Sequence, residues 1–395
     1  MPSDGSHAFA AAVAVRDRLT SWLHLEALPT WAAFGVDHVN GGFHEVVGLR
    51  CEIEARPRRV RVVARQIFSF AVAGRLGWGG PWRRIVDEGL DWFLAHCVKP
   101  DGTVRMLVAA DGKALDDTFN LYDQAFALFA LAAAASVASD RAKAEDAALK
   151  LRAALHATWK HPVAGFEEAS PRTLPLKANP HMHMFEACLA WEEAGGDATW
   201  SALADEIAEL CLAKLIDPAA GGWLKEFFDG DWAPMPGEAG RIVEPGHHFE
   251  WAWLLTRWGV KRSRPDAIRA AGRLVELGEE PGVDRARGVA IMEMLEDGGV
   301  RDGTARLWSQ TERLKGHVAL AGVATDAAAR DEHFAAAAAA GEAMLRFFDV
   351  DTPGLWRDRM EVDGSFRVEP APASSFYHVI CAIEELEKAV AAGGI

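Results

Sequence analysis

Two segments of the chain place a histidine and a glutamate three residues apart, directly after residues that start helices. His183 and Glu186 follow an Asn-Pro pair, and His247 and Glu250 follow a Pro-Gly pair. Asn before Pro is typical of a helix N-cap and first helical position, and residues i and i+3 share one helix face. Because imidazole titrates near neutral pH, such pairs are suited to proton transfer.

Two further segments interrupt the apolar pattern of the chain. Trp308 and Glu312 are spaced to share a helix face, and Tyr377 and His378 follow two serines at the start of the last apolar helix. Polar residues at helix starts are often only caps, and a lone histidine there is usually structural. The recurrence of His-x-x-Glu behind two helix starts favours a shared site over separate caps.

Other chemistries find little support in the sequence. His181 and His183 would diverge on a helix, as would the adjacent His247 and His248, and neither HExxH nor zinc-like ligand spacing occurs. We therefore expect no metal site. The motifs GxSxG, the P-loop and G-x-G-x-x-G after a strand are also absent, which argues against acyl transfer, nucleotide hydrolysis and nicotinamide chemistry.

Helical patterns dominate the elements that would position these residues. Segments 82–97 and 200–211 have the periodicity of amphipathic helices, whereas 121–138 is apolar nearly all round. Asp-Gly turns predict β-hairpins at 227–232 and 360–366. Further helices are predicted at 8–27, 64–77, 142–158, 180–193, 247–258, 264–278, 284–296, 303–322, 328–347 and 374–391.

The alternation of amphipathic and wholly apolar helices predicts two layers, an outer ring shielding an inner one. We find no Pro/Ser-rich or charged linker that divides the sequence. The chain is therefore predicted to form a single domain over residues 1–395.

Composition excludes several classes of protein. Of 395 residues, 50% are hydrophobic and 25% charged, which is typical of a globular protein with a large core. The net charge of −15 argues against nucleic acid or an anionic membrane as a partner. Five cysteines without CxxC spacing are typical of reduced thiols, and the apolar stretch 8–15 is too short to span a bilayer. We expect a cytoplasmic protein, and the sequence leaves monomer and homo-oligomer open.

Aromatic residues are used unevenly, with 15 Trp and 19 Phe against 2 Tyr. Tryptophan faces suit sugar rings, which indicates a carbohydrate partner, although most of these tryptophans fall on apolar helix faces and are expected only to pack. Trp308 is the strongest candidate to contact a sugar, and Trp251 and Trp356 are weaker ones. Both tyrosines, Tyr122 and Tyr377, lie beside the segments described above.

Taken together, the motifs resemble the N-acylglucosamine 2-epimerase superfamily, and within it the mannose isomerase branch. The resemblance covers about residues 40–385 and implies an all-α fold, an (α/α)6 barrel or toroid of six helical hairpins with short β-hairpins on one face. It also implies a monosaccharide substrate and no cofactor. The segments that carry it are Arg65-Gln66 with 68–71, 179–183 with Glu186-Ala187, 245–251, 308–312 and 375–378.

The resemblance assigns roles as well. His378 would move a proton between C2 and C1 of mannose and fructose through a cis-enediol(ate), and His247, oriented or tuned by Glu250, would open the ring. Helix N-termini are expected to keep these imidazoles neutral. Substrate contacts are implied for Arg65, Tyr122, Asn179, His183, Trp308, Glu312 and Tyr377. Six marked positions recur about 60 residues apart, enough for one inner and one outer helix each: Arg65, Tyr122, His183, His247, Trp308 and His378.

Four alternatives remain open at this point. A sugar 2-epimerase acting on mannose/glucose, cellobiose or N-acylglucosamine would use the same enediolate and return the proton to the other face of C2. A sulfosugar isomerase would need a cation for the sulfonate, for which Arg241 is a candidate. A glycoside hydrolase or lyase would use two carboxylates, Glu250 with Glu312 or Asp123. A non-catalytic sugar-binding protein would leave the C2 proton in place.

Overall fold

A computed structural model describes residues 5–393 of the chain. Twelve long α-helices cover most of this range: α1 Gly5–Trp22, α2 Val60–Arg75, α3 Trp82–His96, α4 Leu121–Val137, α5 Arg141–Thr158, α6 Ala178–Glu193, α7 Ala198–Leu210, α8 Pro245–Arg262, α9 Pro265–Glu279, α10 Leu307–Val323, α11 Ala327–Phe347 and α12 Phe376–Gly393. Two π-helical turns around the short helix Leu28–Thr30 extend α1 to Gly35.

The helices lie in two concentric rings. The even-numbered helices pack side by side in chain order, and α12 closes this inner ring against α2. Each of α3, α5, α7, α9 and α11 packs outside the inner helix that precedes it, and α1 covers α11 and α12. The chain therefore forms the expected (α/α)6 barrel, in which α1 and α12, from opposite ends of the sequence, make the sixth helix pair.

Burial explains which helices occupy which ring. The inner helix α4 is buried along nearly its whole length from Leu121 to Ala135, as its all-round apolar sequence predicts. The outer helix α3 instead buries one stripe, which includes Ile85, Leu90 and Phe93, and turns its charged face outward. The alternation of amphipathic and wholly apolar helices in the sequence is therefore the alternation between the outer and the inner ring.

All the strands in residues 5–393 lie in the long connections that lead from an outer helix to the next inner helix, and they form antiparallel pairs or triples. Five of these connections have a strand shortly before the inner helix begins. The sixth connection, before α4, ends at Asn120, whose side chain caps the helix by accepting a hydrogen bond from the Tyr122 amide at 3.0 Å. The strands are β1 Val46–Val47, β2 Arg58–Arg59, β3 Leu107–Val108, β4 Ala114–Asp116, β5 Leu176–Lys177, β6 Ile216–Asp217, β7 Trp223–Leu224, β8 Phe227–Phe228, β9 Ile242–Val243, β10 Val283–Asp284, β11 Val289–Ala290, β12 Glu293–Leu295, β13 Val300–Asp302, β14 Ala305–Arg306, β15 Arg359–Met360 and β16 Ala371–Pro372.

One helix prediction is wrong. Residues 284–296 form β10, β11 and β12, because Asp284 accepts hydrogen bonds from the Ala286 and Arg287 amides and Gly288 adopts a left-handed φ of 69°. This turn redirects the chain where a helix would continue. Both Asp-Gly turns close antiparallel bridges as predicted, Phe228 with Pro234 and Met360 with Phe366.

The single domain over 1–395 remains a prediction, since residues 1–4 and 394–395 lie outside the described part of the chain. No helix within residues 5–393 has both the length and the apolar composition that crossing a bilayer requires.

The contact between α1 and α11 gives a stability prediction. A Cβ on Gly341 of α11 would lie 2.3 Å from Val15 Cγ1 of α1, whereas a Cβ on Gly272 of α9 would meet nothing within 4 Å. We expect Gly341→Ala to lower the free energy of unfolding by about 1–3 kcal/mol through overpacking. Its matched control, Gly272→Ala, should raise it by about 0.4–1 kcal/mol. Denaturant unfolding measures the free energy of unfolding of both variants. Equal changes in the two variants would contradict the close packing of Gly341 against Val15.

Candidate active site

A cavity of about 270 Å³ opens where the six inner helices begin. Every inner helix contributes at least one side chain to it, and the preceding loops contribute the rest. Of the ten predicted site residues, all except Glu312 and Tyr377 line this cavity. The lining consists of Arg65, Tyr122, Asn179, His183, Glu244, His247, Glu250, Met292, Arg306, Trp308, Ser374, Ser375 and His378.

His247 is held by two carboxylates that precede it in the chain. Its Nδ1 lies 3.0 Å from Glu226 Oε1 and 3.6 Å from Glu244 Oε2. Burial lowers the pKa of His247, but the charges of Glu226 and Glu244 outweigh it and raise this pKa to about 10. The expectation that the helix N-terminus keeps this imidazole neutral is therefore wrong.

The hydrogen-bond partner of His247 is not the predicted Glu250, although the charge of Glu250 adds to the rise in the pKa of His247. Glu226, from the loop before β8, takes the position expected for Glu250. Glu250 instead lies 3.8 Å from His183 Nδ1 and 3.5 Å from Tyr377 Oη. Local spacing could not reveal Glu226, because it lies 21 residues before His247, in the loop between β7 and β8.

His378 has the opposite electrostatic environment. Its Nδ1 lies 2.7 Å from Glu312 Oε1, and its ring borders the cavity. Burial, reinforced by the positive charges of Arg65 and Lys315, holds the pKa of His378 well below its usual value. At neutral pH the cavity therefore contains a protonated His247 and a neutral His378, the pairing of acid and base that proton-transfer enzymes use.

Trp308 forms the wall between these two histidines. Its ring centroid lies 5.2 Å from that of His247 and 5.8 Å from that of His378. A Cβ on Gly246 would come within 2.5 Å of the indole, so the Pro-Gly start of α8 is what allows Trp308 to pack there. An aromatic face between two acid/base groups is suited to hold a sugar ring.

Arg65 and Asn179 bring polar atoms to the opposite wall. The Arg65 guanidinium donates to Tyr122 Oη at 2.6 Å and to the Ser374 carbonyl at 3.1 Å. Arg65 Nε and Asn179 Oδ1 are buried and have no hydrogen-bond partner among residues 5–393. Buried polar atoms are normally satisfied, so these two are suited to bind substrate hydroxyls.

Glu312 and Tyr377 lie behind the wall of the cavity and do not line it, contrary to the expected substrate contacts. Tyr377 Oη donates to both oxygens of Glu186, at 2.6 and 2.7 Å, and Glu186 in turn lies 3.1 Å from His183 Nδ1. Glu312 supports His378 in the same way. These two residues act on the histidines that line the cavity.

The remaining candidates divide into structural and peripheral residues. His181 and His248 each bond a backbone carbonyl one turn earlier, at 2.8 and 2.9 Å, and point away from the cavity. Trp251 and Trp356 are fully buried in the core. Arg241 is ion-paired with Asp297 at the surface and does not border the cavity.

Within residues 5–393, three groups of side chains have donor atoms close enough to hold a cation. They are His183 with Glu186 and Glu250, His247 with Glu226 and Glu244, and His378 with Glu250 and Glu312. Spacing along the chain does not reveal these groups, because each combines residues from different elements. Hydrogen bonds between imidazole and carboxylate account for the short distances, and the absence of a metal stays a prediction.

Comparison with known sequences places the chain in a family. The sequence profile of N-acylglucosamine 2-epimerase (GlcNAc 2-epimerase) matches residues 41–382. The chain belongs to this family. A curated relative, mannose-6-phosphate isomerase of Rhizobium meliloti (strain 1021), is 50% identical over 372 residues, which cover 93% of this chain and 96% of the relative. The protein is therefore an enzyme of the sugar isomerase and epimerase family.

Solved structures share the barrel. A D-mannose isomerase matches with a TM-score of 0.81 and 19% identity, covering 98% of this chain and 99% of its own. Cellobiose 2-epimerase from Spirochaeta thermophila DSM 6192 matches with a TM-score of 0.84 and 21% identity, covering 97% and 98%. At this level of identity the two matches support the (α/α)6 fold alone.

The environment of His247 gives a direct prediction. Glu226→Gln removes a negative charge that favours the imidazolium, so the pKa of His247 should fall by about one unit or more. An NMR titration of the histidine ring protons measures it. Glu238→Gln, at an exposed surface glutamate, is the matched control and should leave the pKa unchanged. An unchanged pKa in Glu226→Gln would refute the role of this carboxylate.

Proposed function

We propose that the enzyme is a cofactor-independent aldose–ketose isomerase that interconverts D-mannose and D-fructose. The observation that carries this proposal is the pair of histidines beside Trp308, His247 protonated and His378 neutral. Moving a carbonyl from C1 to C2 needs an acid and a base at one sugar ring, and this pair offers both without a bound cofactor.

In the proposed reaction, His247 donates its proton to the ring oxygen O5, the C1–O5 bond breaks, and the O1 hydroxyl proton returns to His247, which leaves an aldehyde at C1. His378 Nε2 then removes the proton from C2, the electron pair of that C–H bond forms the C1=C2 bond, and the π electrons of the C1 carbonyl move onto O1 to give a cis-enediolate. Arg65 stabilises the negative charge that develops on O1. His378 then returns its proton to C1 while the hydroxyl proton of O2 passes to O1, so that C2 becomes the carbonyl carbon.

The size of the cavity supports a single sugar ring as substrate. At about 270 Å³ it lies near the lower limit of ligand pockets, which typically run from about 300 to 1,000 Å³. Cellobiose, with two rings, would fill far more space. We therefore favour a monosaccharide over the disaccharide on which the cellobiose 2-epimerases are named to act.

A glycoside hydrolase is disfavoured by the positions of its candidate carboxylates. Such an enzyme needs two carboxyl groups on either side of the scissile bond. Glu250 lines the cavity, but Glu312 lies behind His378, and Asp123 is ion-paired with Arg61 away from the cavity. Of the carboxylates predicted for this role, Glu250 alone therefore lines the cavity, and the other carboxylate of the lining, Glu244, is paired with His247 at 3.6 Å.

The deciding experiment is D-mannose turnover in heavy water, followed by proton NMR. We expect fructose signals and deuterium at C1, because His378 exchanges its proton with solvent. His378→Ala and His247→Ala should each lower kcat by about 1,000-fold or more while the fold survives. The exposed His38→Ala is the matched control and should keep wild-type activity.

Each other outcome would replace this proposal. Glucose signals would mean a 2-epimerase. Mannose binding without any loss of the C2 proton would mean a sugar-binding protein. Near-wild-type activity of either histidine variant would remove that residue from the acid/base role.

The name of the Rhizobium relative raises mannose 6-phosphate as a second candidate substrate. Among the described residues, the two arginines that line the cavity are both engaged, Arg65 at O1 in the proposed reaction and Arg306 in an ion pair with Asp358 at 2.8 Å. Glu244 and Glu250 would also repel a phosphate dianion. These contacts favour the unphosphorylated sugar.

We expect kcat/KM for D-mannose to exceed that for D-mannose 6-phosphate by about tenfold or more, because the phosphate would meet carboxylates without an unengaged arginine. An assay that detects both fructose and fructose 6-phosphate measures the two values of kcat/KM. The reverse preference would show that Arg306 exchanges Asp358 for phosphate and would establish the sugar phosphate as the substrate.

A further inference from the structure

A lysine lies buried at the centre of the barrel, behind the cavity that the proposed reaction uses. Lys315 sits on α10, one turn after Glu312, and none of its surface is exposed. It does not line the cavity. A buried ammonium group is strongly unfavourable unless it is paired, so its position requires an explanation.

The surroundings of Lys315 are dominated by carboxylates. Its Nζ lies 2.6 Å from Glu312 Oε2 on the same helix. Glu250 of α8 and Glu186 of α6 are close enough to raise the pKa of Lys315, as is Cys381 of α12, whose Sγ is 3.9 Å away. The remaining neighbours of Nζ are two aromatic rings, Trp253 with its centroid at 3.8 Å and Tyr377 at 5.8 Å.

Glu312 connects this lysine to the proposed base. One carboxylate oxygen, Oε1, lies 2.7 Å from His378 Nδ1, and the other, Oε2, faces Lys315. Burial and the charges of Glu250 and Glu186 raise the pKa of Glu312 well above its usual value, and the ammonium group of Lys315, 2.6 Å away, opposes this rise. The adjacent ammonium group is therefore what favours the ionised form of this carboxylate.

We propose that Lys315 is a positioning residue that keeps Glu312 ionised, so that Glu312 accepts the Nδ1 proton of His378 and leaves His378 Nε2 unprotonated toward the substrate. If Glu312 were neutral, its O–H would donate to Nδ1, and the ring proton would move to Nε2. That tautomer cannot accept the C2 proton. The proposal rests on the function proposed above, which makes His378 the base.

The test is the pH profile of Lys315→Met, which removes the charge and keeps most of the volume. Without the ammonium group, the pKa of Glu312 rises, and more of this carboxyl is protonated at neutral pH. We expect kcat to fall about 100-fold at pH 7 with KM changed less than about threefold. The acid limb of the kcat profile should move to higher pH, so that alkaline buffer restores part of the activity.

The matched control is Arg313→Met, which removes a buried cation from the neighbouring position of the same helix. Arg313 pairs with Glu279 on the outer side of α10, away from the cavity. This variant should lose stability in thermal unfolding and keep the wild-type pH profile. A shift of the acid limb in both variants, or in neither, would overturn the proposal, since a structural role alone predicts equal profiles.

A second pair of variants covers the case in which Lys315→Met does not fold. In Glu312→Gln the carboxylate through which Lys315 acts is already gone, and the double variant Glu312→Gln/Lys315→Met leaves two neutral side chains. We expect the double variant to have a kcat within about threefold of Glu312→Gln alone. A further loss of about 100-fold would show that Lys315 acts independently of Glu312 and would overturn the proposal.

Turnover by the wild-type enzyme separates the two proposals. If wild-type protein does not exchange the C2 proton of D-mannose, the proposed function fails. If it does, and Lys315→Met keeps the wild-type kcat and acid limb, the function stands and the role of Lys315 fails.

Discussion

Compensation of buried charge at the centre of the barrel is the constraint on which the site depends. Inner helices that are apolar nearly all round cannot bury an ion without a partner, since an isolated buried charge is strongly unfavourable. Each imidazole that lines the cavity accordingly has a carboxylate at Nδ1, His183 with Glu186, His247 with Glu226 and His378 with Glu312. Two of these carboxylates have a further partner, Tyr377 and Lys315. The polar groups thus form chains that start at the cavity and end in the core.

The same constraint explains why two similar histidines differ in protonation. Burial lowers the pKa of both. His247 lies among loop residues where Glu226 and Glu244 add two negative charges, whereas His378 lies between the positive charges of Arg65 and Lys315. The difference arises from the charged side chains around each imidazole, so the helix dipole, which is common to both positions, does not decide it.

Sequence reasoning succeeded where the information was local. The periodicity of α3 and α4 revealed both rings, and a polar residue at the start of each inner helix revealed the cavity wall. It failed where the chain returns from a distance. Glu226 meets His247 across 21 residues of chain, and within 284–296 the strand β12 pairs with β9 from before α8.

The neighbouring histidines show how structural residues fix the functional ones. His248 donates from Nδ1 to the Glu244 carbonyl, and its Nε2 accepts the Leu224 amide at 3.3 Å. Burial lowers the pKa of His248 to about 4, so its ring stays neutral and one nitrogen remains an acceptor. Leu224 lies two residues before Glu226, so this bond ties the loop that carries the carboxylate to the helix that carries His247. The two adjacent histidines diverge as a helix requires, His247 toward the cavity and His248 toward the loop. By holding the loop that carries Glu226, His248 helps to keep His247 protonated.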